Sequence, residues 1–119
     1  MNILLVEDDY GVRDMLTLLL EEEDHVVQTA IHGQAALLLL EAATALPDVI
    51  LLDLSMPVMD GAEFRAVQRA DPHFRDIPVI VLSADRSIAQ KAAAMAVAAY
   101  LPKPISLDDL LPMLERFVA

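Results

Sequence analysis

Short apolar runs alternate with segments of helical periodicity along the whole chain, and this alternation constrains the fold more than any other feature. Several runs are apolar throughout and rich in β-branched residues, which is typical of strands buried on both faces of a sheet. The runs cover residues 3–6, 25–29, 49–52, 79–82 and 98–101. The helical segments begin with Val12, Met15, Leu16, Leu19 and Leu20, and continue over residues 34–43, 62–70, 86–96 and 107–117. Ser106 and Asp109 can cap the last helix.

Five strand–helix units joined by short connections predict an α/β fold with a doubly wound parallel sheet. Right-handed crossovers between parallel strands place helices on both faces of the sheet. A length of 119 residues suits one such domain. In these sheets the binding crevice lies beyond the carboxyl ends of the strands, so we expect the chemistry there.

Composition excludes several classes of function. The net charge of −11 disfavours binding to nucleic acids and to anionic lipid surfaces. No Cys is present, which excludes thiol nucleophiles, disulfides and Cys-ligated metals. The longest apolar stretch, residues 92–101, is far shorter than the ~18 residues of a membrane span, and the N-terminus lacks the basic lead of a signal peptide. We therefore expect a cytoplasmic protein.

Polar residues stand at the predicted carboxyl ends of four strands. Asp8 and Asp9 follow the first run, Asp53 the third, Ser83 the fourth and Lys103 the fifth. Each of them alone is typical of a helix cap or a turn. Their joint placement at one edge of the sheet indicates a functional site.

Converging carboxylates repel one another unless a cation compensates them, and Mg²⁺ prefers such oxygen ligands. Asp9 and Asp53 are the candidate ligands, with Asp8 in support or binding through water and the Ser55 carbonyl as a further oxygen. The ammonium of Lys103 and the hydroxyl of the serine at position 83 suit a phosphoryl group. The set favours phosphoryl transfer with a carboxylate as nucleophile.

Four segments in order carry a resemblance to a known family. They are ILLVEDD at residues 3–9, DLSMPVMDG at 53–61, PVIVLSA at 78–84 and YLPKPI at 100–105. Over essentially its full length, the chain resembles the receiver domains of two-component response regulators, which belong to the CheY-like superfamily. The resemblance implies the flavodoxin-like strand order 2-1-3-4-5.

The resemblance also implies roles for individual residues. Asp53 would accept a phosphoryl group from a phosphohistidine on a histidine kinase or a phosphotransfer protein. Lys103 would contact that group, Ser83 would move to hydrogen-bond it, and the ring of Tyr100 would turn inward as the hydroxyl moves. Asp9, Asp53 and the Ser55 carbonyl would hold Mg²⁺, and Asp8 would complete the acidic pocket. The Lys103–Pro104 bond resembles the cis peptide of the family.

By the same resemblance, the chain is a phosphorelay switch that remodels a surface for a downstream protein target. It would catalyse its own aspartyl phosphorylation and dephosphorylation without turning over an external substrate. We expect residues 1–119 to form a receiver domain without an effector domain, either as a stand-alone regulator or as a segment of a larger regulator or hybrid kinase.

The sequence departs from the family at three alanines near the fifth strand. Ala96 stands where the family often has Gly, and Ala98 and Ala99 stand where it often has acidic or polar residues. An Ala-rich output face suits docking or phosphorylation-dependent dimerisation, although helix propensity explains the alanines about as well.

Two alternatives differ from this interpretation. A Mg²⁺-dependent aspartyl-phosphate phosphatase would need a second Asp where Ser55 stands, together with a general acid that the sequence does not offer. A pseudo-receiver would keep the fold as a protein-interaction module that is not phosphorylated. Such modules usually lose an acidic residue or the lysine, both of which this sequence retains.

Overall fold

Strands and helices alternate throughout the computed structural model, which describes residues 1–117. The strands are β1 (Asn2–Val6), β2 (Val26–Ala30), β3 (Val49–Asp53), β4 (Val79–Ser83) and β5 (Ala99–Pro102). The helices are α1 (Tyr10–Glu22), α2 (Gly33–Ala42), α3 (Gly61–Ala70), α4 (Ile88–Met95) and α5 (Leu107–Glu115). The strands are parallel and lie in the order β2-β1-β3-β4-β5. This topology confirms the predicted doubly wound fold and its strand order.

Two hydrophobic cores lie on opposite faces of the sheet because successive strand residues point to opposite sides. In β1, Leu4 and Val6 enter one core, and Ile3 and Leu5 enter the other. Helices α2, α3 and α4 cover the first core with residues such as Leu37, Phe64 and Met95. Helices α1 and α5 cover the second with residues such as Leu16, Leu20 and Leu110. Every residue of β3 and β4 is buried, so the packing holds the carboxyl ends of these central strands in place.

Most predicted boundaries differ from the observed ones by one or two residues. Asp53 and Ser83 are the last residues of β3 and β4 rather than the residues after them. Helix α4 begins at Ile88 instead of residue 86, because Asp85 forms a turn with Ser87 in which its carboxylate accepts the Ser87 N–H at 2.8 Å. None of the helices in the described part of the chain combines the length and apolarity needed to span a bilayer.

The capping pair predicted for α5 is wrong. Ser106 is the N-cap residue, but its side chain makes no capping hydrogen bond in the described structure. The backbone carbonyl of Ser106 instead accepts the N–H of Asp109 at 3.1 Å. Asp109 also has a shorter side chain than the Glu or Gln that usually reaches back to the N-cap. Asp108 and Asp109 still place negative charge in the first turn, where the helix dipole favours it.

Candidate functional site

An open cleft of about 450 Å³ lies at the carboxyl ends of β1, β3, β4 and β5. Glu7 lies beside Asp53 because Val6, at the end of β1, is paired with Leu52 in β3. Ser83 enters the cleft from the end of β4, and Lys103 from the residue after β5. The cleft thus forms where the topology predicts it, outside the carboxyl edge of the sheet.

Three carboxylates meet in this cleft. Glu7, Asp8 and Asp53 each offer an oxygen, and these oxygens lie within 4.8 Å of one another. Glu7 is fully buried and Asp53 is 4% exposed, whereas Asp8 is open to solvent. Burying like charges this close together is costly unless a positive charge compensates them.

Lys103 supplies one compensating charge. Its Nζ atom donates to both oxygens of Glu7, at 2.8 and 3.1 Å, and to Asp53 Oδ1 at 3.3 Å. Burial lowers the pKa of Lys103, but the bonds to Glu7 and the charge of Asp53 more than offset it, so the net pKa is raised. Lys103 is therefore charged at neutral pH and bridges the two buried acids.

The surroundings of Asp53 disfavour its charge. Burial raises the pKa of Asp53, the nearby Glu7 carboxylate raises it further, and Lys103 only partly opposes them, which leaves the pKa at about 6. In the described part of the chain, the three carboxylates of the cluster are paired with the single ammonium of Lys103. Such an oxygen-rich, under-neutralised set is the chemistry that a hard divalent cation fits.

Gly61 lets α3 begin directly against the backbone of Asp53. Its N–H donates to the Leu54 carbonyl at 3.0 Å. A Cβ atom at this position would lie only 2.6 Å from the Asp53 carbonyl oxygen. Asp60 starts the helix by accepting the N–H of Glu63 at 2.9 Å. The connection after β3 is thereby packed against the residue at the centre of the cleft.

Asp9, predicted as a metal ligand, is not part of the carboxylate cluster. It lines the cleft, but its Oδ1 atom accepts the N–H of Val12 at 2.9 Å and caps α1. Glu7, which was not predicted, takes the place in the cluster. The sequence contained a signal for this: Asp is a strong N-cap and Glu is not, so a helix starting at Tyr10 assigns Asp9 to the cap. The two acids of this run that are left for the carboxylate cluster are then Glu7 and Asp8.

The other predicted residues are distributed around the cleft. Ser55 lines it and is exposed, and Ser83 is buried with its hydroxyl accepting the Asp85 N–H at 3.0 Å. Tyr100 lies on edge strand β5 and is 41% exposed, so its side chain is outward in this structure. The Lys103–Pro104 peptide bond is cis.

The fold and the cleft together define a doubly wound domain with an acidic, lysine-bridged site at the ends of its strands. Residues 3–115 match the family model described as the response regulator receiver domain. The chain therefore belongs to the response regulator receiver domain family.

Similar proteins agree with this assignment. Response regulator MprA of Mycolicibacterium vanbaalenii is 37% identical over 98% of the chain, which spans about half (50%) of that protein's length. Chemotaxis protein CheY4 of Vibrio cholerae is 31% identical, with a TM-score of 0.87 and 98% of each chain covered. The receiver domain of sensor histidine kinase PA1611 from Pseudomonas aeruginosa is 28% identical, with a TM-score of 0.87 and coverage of 98% and 95%. That structure has a magnesium ion coordinated in its active-site cleft.

Proposed function

We propose that this receiver domain accepts a phosphoryl group on Asp53 from a phosphohistidine of a histidine kinase or phosphotransfer protein. The observation that carries the proposal is the buried Asp53 carboxylate beside the Lys103 ammonium, at 3.3 Å, in an open cleft at the end of the sheet. An Asp53 oxygen forms the new bond to phosphorus, and the bond between phosphorus and the histidine nitrogen breaks with its electron pair on the imidazole.

Each group at the site has a role in this transfer. The Lys103 ammonium binds a phosphoryl oxygen as a point charge, and the Ser83 hydroxyl donates to another. Asp8, Asp53 and the Ser55 carbonyl would hold Mg²⁺, with Glu7 adding negative charge behind them. The bound ion would neutralise charge on the phosphoryl oxygens. Attack of water on phosphorus would later release phosphate and restore the Asp53 carboxylate.

The proposal describes a switch, not an enzyme with an external substrate. Phosphorylation would shift an equilibrium between two states through Ser83 and Tyr100, and would change the surface offered to a downstream protein. Tyr100 is outward in the structure described above, which is the arrangement from which an inward turn of the ring can start. The cytoplasmic location expected from the sequence stays a prediction.

The proposal is tested by intact-mass measurement after incubation with acetyl phosphate, with and without Mg²⁺. The native chain should gain one Mg²⁺-dependent phosphoryl group, and Asp53→Asn should gain none. The matched control is Asp76→Asn, an exposed aspartate just before the amino end of β4, which should behave like the native chain. An adduct on Asp53→Asn would refute the assignment. No adduct on the native chain, either from acetyl phosphate or from a phosphorylated histidine phosphotransfer domain, would favour the pseudo-receiver alternative.

A further inference from the structure

Strand β2 lies at one edge of the sheet and, within residues 1–117, pairs with β1 alone. The Val26 N–H donates to the Met1 carbonyl at 3.0 Å, so the backbone of Val26 faces β1. In a parallel ladder, the backbone groups of alternate residues point away from the partner strand. The N–H and carbonyl groups of Val27 and Thr29 therefore point outward, and the described part of the chain makes no hydrogen bond to them.

The sequence of β2 contains none of the features by which proteins usually protect such an edge. Edge strands are commonly blunted by charged side chains, proline or a bulge. The five residues of β2, VVQTA, are uncharged and pair with β1 in an unbroken register. Strand β5, at the other edge, ends in Pro102 and is followed by Lys103. Val26 is 62% exposed and Thr29 is exposed as well, so β2 is open to solvent along its outer side.

A small cleft, the edge cleft, opens beside β2 on the face of the sheet that α2 covers. Val26 and Gln28 share this face with Ala30, which belongs to the core beneath α2. Together with Ala45 and Pro47 of the α2–β3 connection, they line a volume of about 180 Å³. A cavity of this size holds one aliphatic side chain. When a strand is added to a sheet edge, backbone bonds supply affinity and such pockets supply specificity.

The surroundings of β2 are acidic. Between Arg13 and Arg65 the sequence contains no Lys or Arg, and this interval includes β2, α2 and most of α1, the two helices that contact β2. Two copies of the chain would bring like charges together at this edge, whereas a strand that carries cations is attracted to it. The exposed acids in the helix ends and loops that lead into β2 and β3 are Glu21, Glu22, Glu23, Asp24, Glu41 and Asp48.

We propose that the outer edge of β2 binds an extended, positively charged segment of a partner protein, which adds a further strand to the sheet. The outward backbone groups of Val27 and Thr29 pair with the backbone of this segment. One of its aliphatic side chains enters the edge cleft beside Val26, and its Lys or Arg side chains face the acidic residues around β2. The edge cleft shares no residue with the cleft that contains Asp53, so the interaction goes beyond the proposed phosphoryl transfer.

Amide exchange of the full chain, measured by NMR, tests the proposal with a synthetic peptide. The probe alternates lysine and valine over about six residues, the usual length of a strand, and is blocked at both ends. At saturation, exchange at the Val27 and Thr29 N–H groups should slow by about tenfold or more. Exchange at Gln28, whose N–H already faces β1, should change little. No slowing at millimolar peptide would overturn the proposal.

A second peptide separates strand addition from adsorption by charge. It has the same side chains, but every backbone nitrogen is methylated, so it retains the positive charge and cannot form a strand ladder. It should leave exchange at Val27 and Thr29 nearly unchanged. Equal protection by the two peptides would show that charge alone holds them, and would overturn the proposal.

Substitutions on β2 test the same surface from the side of the protein. Val26→Lys places a cation beside the edge cleft and should weaken peptide binding by about tenfold or more. The matched control, Val67→Lys, adds the same charge at a 43% exposed valine on α3 and should bind nearly as the native chain does. Thr29→Pro removes one outward N–H, leaves the bonds to β1, and should weaken binding by about fivefold. Equal affinities of the two lysine variants would overturn the proposal even where Thr29→Pro does not fold.

Two further measurements identify the occupant and separate this inference from the proposed function. Sedimentation without peptide tests for a second copy: a dimer that protects Val27 and Thr29 and that Val26→Lys dissociates would overturn the proposal. Intact mass after acetyl phosphate treatment should show the phosphoryl group on Val26→Lys as on the native chain. If the native chain binds the peptide but gains no phosphoryl group, only the proposed function fails. If it gains the group but does not bind the peptide, only this inference fails.

Discussion

Asp53 is ionised at neutral pH at a cost to the folded state, because its pKa is raised from 3.8 to about 6 by burial and by Glu7. A carboxyl with a raised folded pKa binds a proton more tightly in the folded chain than in the unfolded chain. Without Mg²⁺, proton binding by Asp53 therefore favours the folded chain fully below about pH 4. This contribution to the free energy of unfolding is lost as the pH rises through 6. The buried charge thus lowers the stability of the metal-free protein at neutral pH.

Replacing Asp53 by Asn removes this cost. We expect Asp53→Asn to raise the free energy of unfolding at pH 7 by on the order of 2 kcal/mol in the presence of a chelator. The gain over the native chain should shrink at pH 5, where native Asp53 is largely protonated. Urea unfolding at both pH values measures this, with Asp76→Asn as the control. A variant that is less stable than the native chain at pH 7 would contradict the prediction.

Asp8 and Asp9 are neighbours with different predicted roles, so substituting each tests the assignment of the acidic residues. Asp8→Ala removes a carboxylate of the cluster and should weaken Mg²⁺ binding by roughly tenfold or more. Asp9→Ala removes the cap of α1 and should cost about 1 kcal/mol of stability with Mg²⁺ affinity nearly unchanged. Calorimetric Mg²⁺ titration and urea unfolding measure the two effects. If Asp9→Ala weakened Mg²⁺ binding and Asp8→Ala did not, Asp9 would be a metal ligand as the sequence predicted.

Glu7 shows why the sequence alone assigned most but not all of the acidic cluster. The run Glu7-Asp8-Asp9 offers three carboxylates after one strand, and composition does not say which of them enter the cleft. The pairing of Val6 with Leu52 decides which of them does, because it places the next residues along the chain, Glu7 and Asp53, side by side. Strand register is a tertiary property, whereas the helix cap that occupies Asp9 is local and could be predicted.

The boundaries of helix α4 likewise depend on contacts that the sequence alone does not reveal. Its alanines predict a helix, but where the helix begins depends on the side-chain bonds of Asp85, and where it ends depends on a change of backbone conformation at Ala96. Ala96 has φ 52° and lies in the left-handed region that favours glycine. The departure from the family noted in the sequence, Ala in place of Gly, is therefore a position of backbone strain.

Ala96→Gly should relieve that strain. The residue is exposed, so the substitution removes no buried contact, and we expect a gain of about 0.5–1 kcal/mol in the free energy of unfolding. The matched control is Ala93→Gly, an exposed alanine inside α4, which should lose about the same amount because glycine is a poor helix former. Urea unfolding compares the two variants. A similar loss of stability in both would show that Ala96 is not strained.

The alternation of strands and helices can be predicted from patterns in the sequence. Alternation of buried runs with amphipathic segments predicts five βα units, and parallel strands need crossovers that cover both faces. The strand order came from the resemblance, because periodicity carries no information about which strands are neighbours. In the folded chain that order brings the ends of β1, β3, β4 and β5 to one cleft, although the residues there are as far apart in sequence as Glu7 and Lys103.

The net charge of −11 gives the molecule two distinct responses to cations. Any salt screens the general repulsion between surface charges, whereas a bound Mg²⁺ stabilises only the folded chain, by roughly 2.7 kcal/mol at a free concentration of 100 times Kd. Mg²⁺ should therefore raise Tm well above the level reached with NaCl of equal ionic strength. In Asp8→Ala the excess effect of MgCl₂ over NaCl should fall by about half or more, because a tenfold weaker Mg²⁺ affinity leaves about 1.4 kcal/mol of stabilisation at the same free concentration. Equal responses of the native chain to MgCl₂ and NaCl would show that the cleft does not bind the ion.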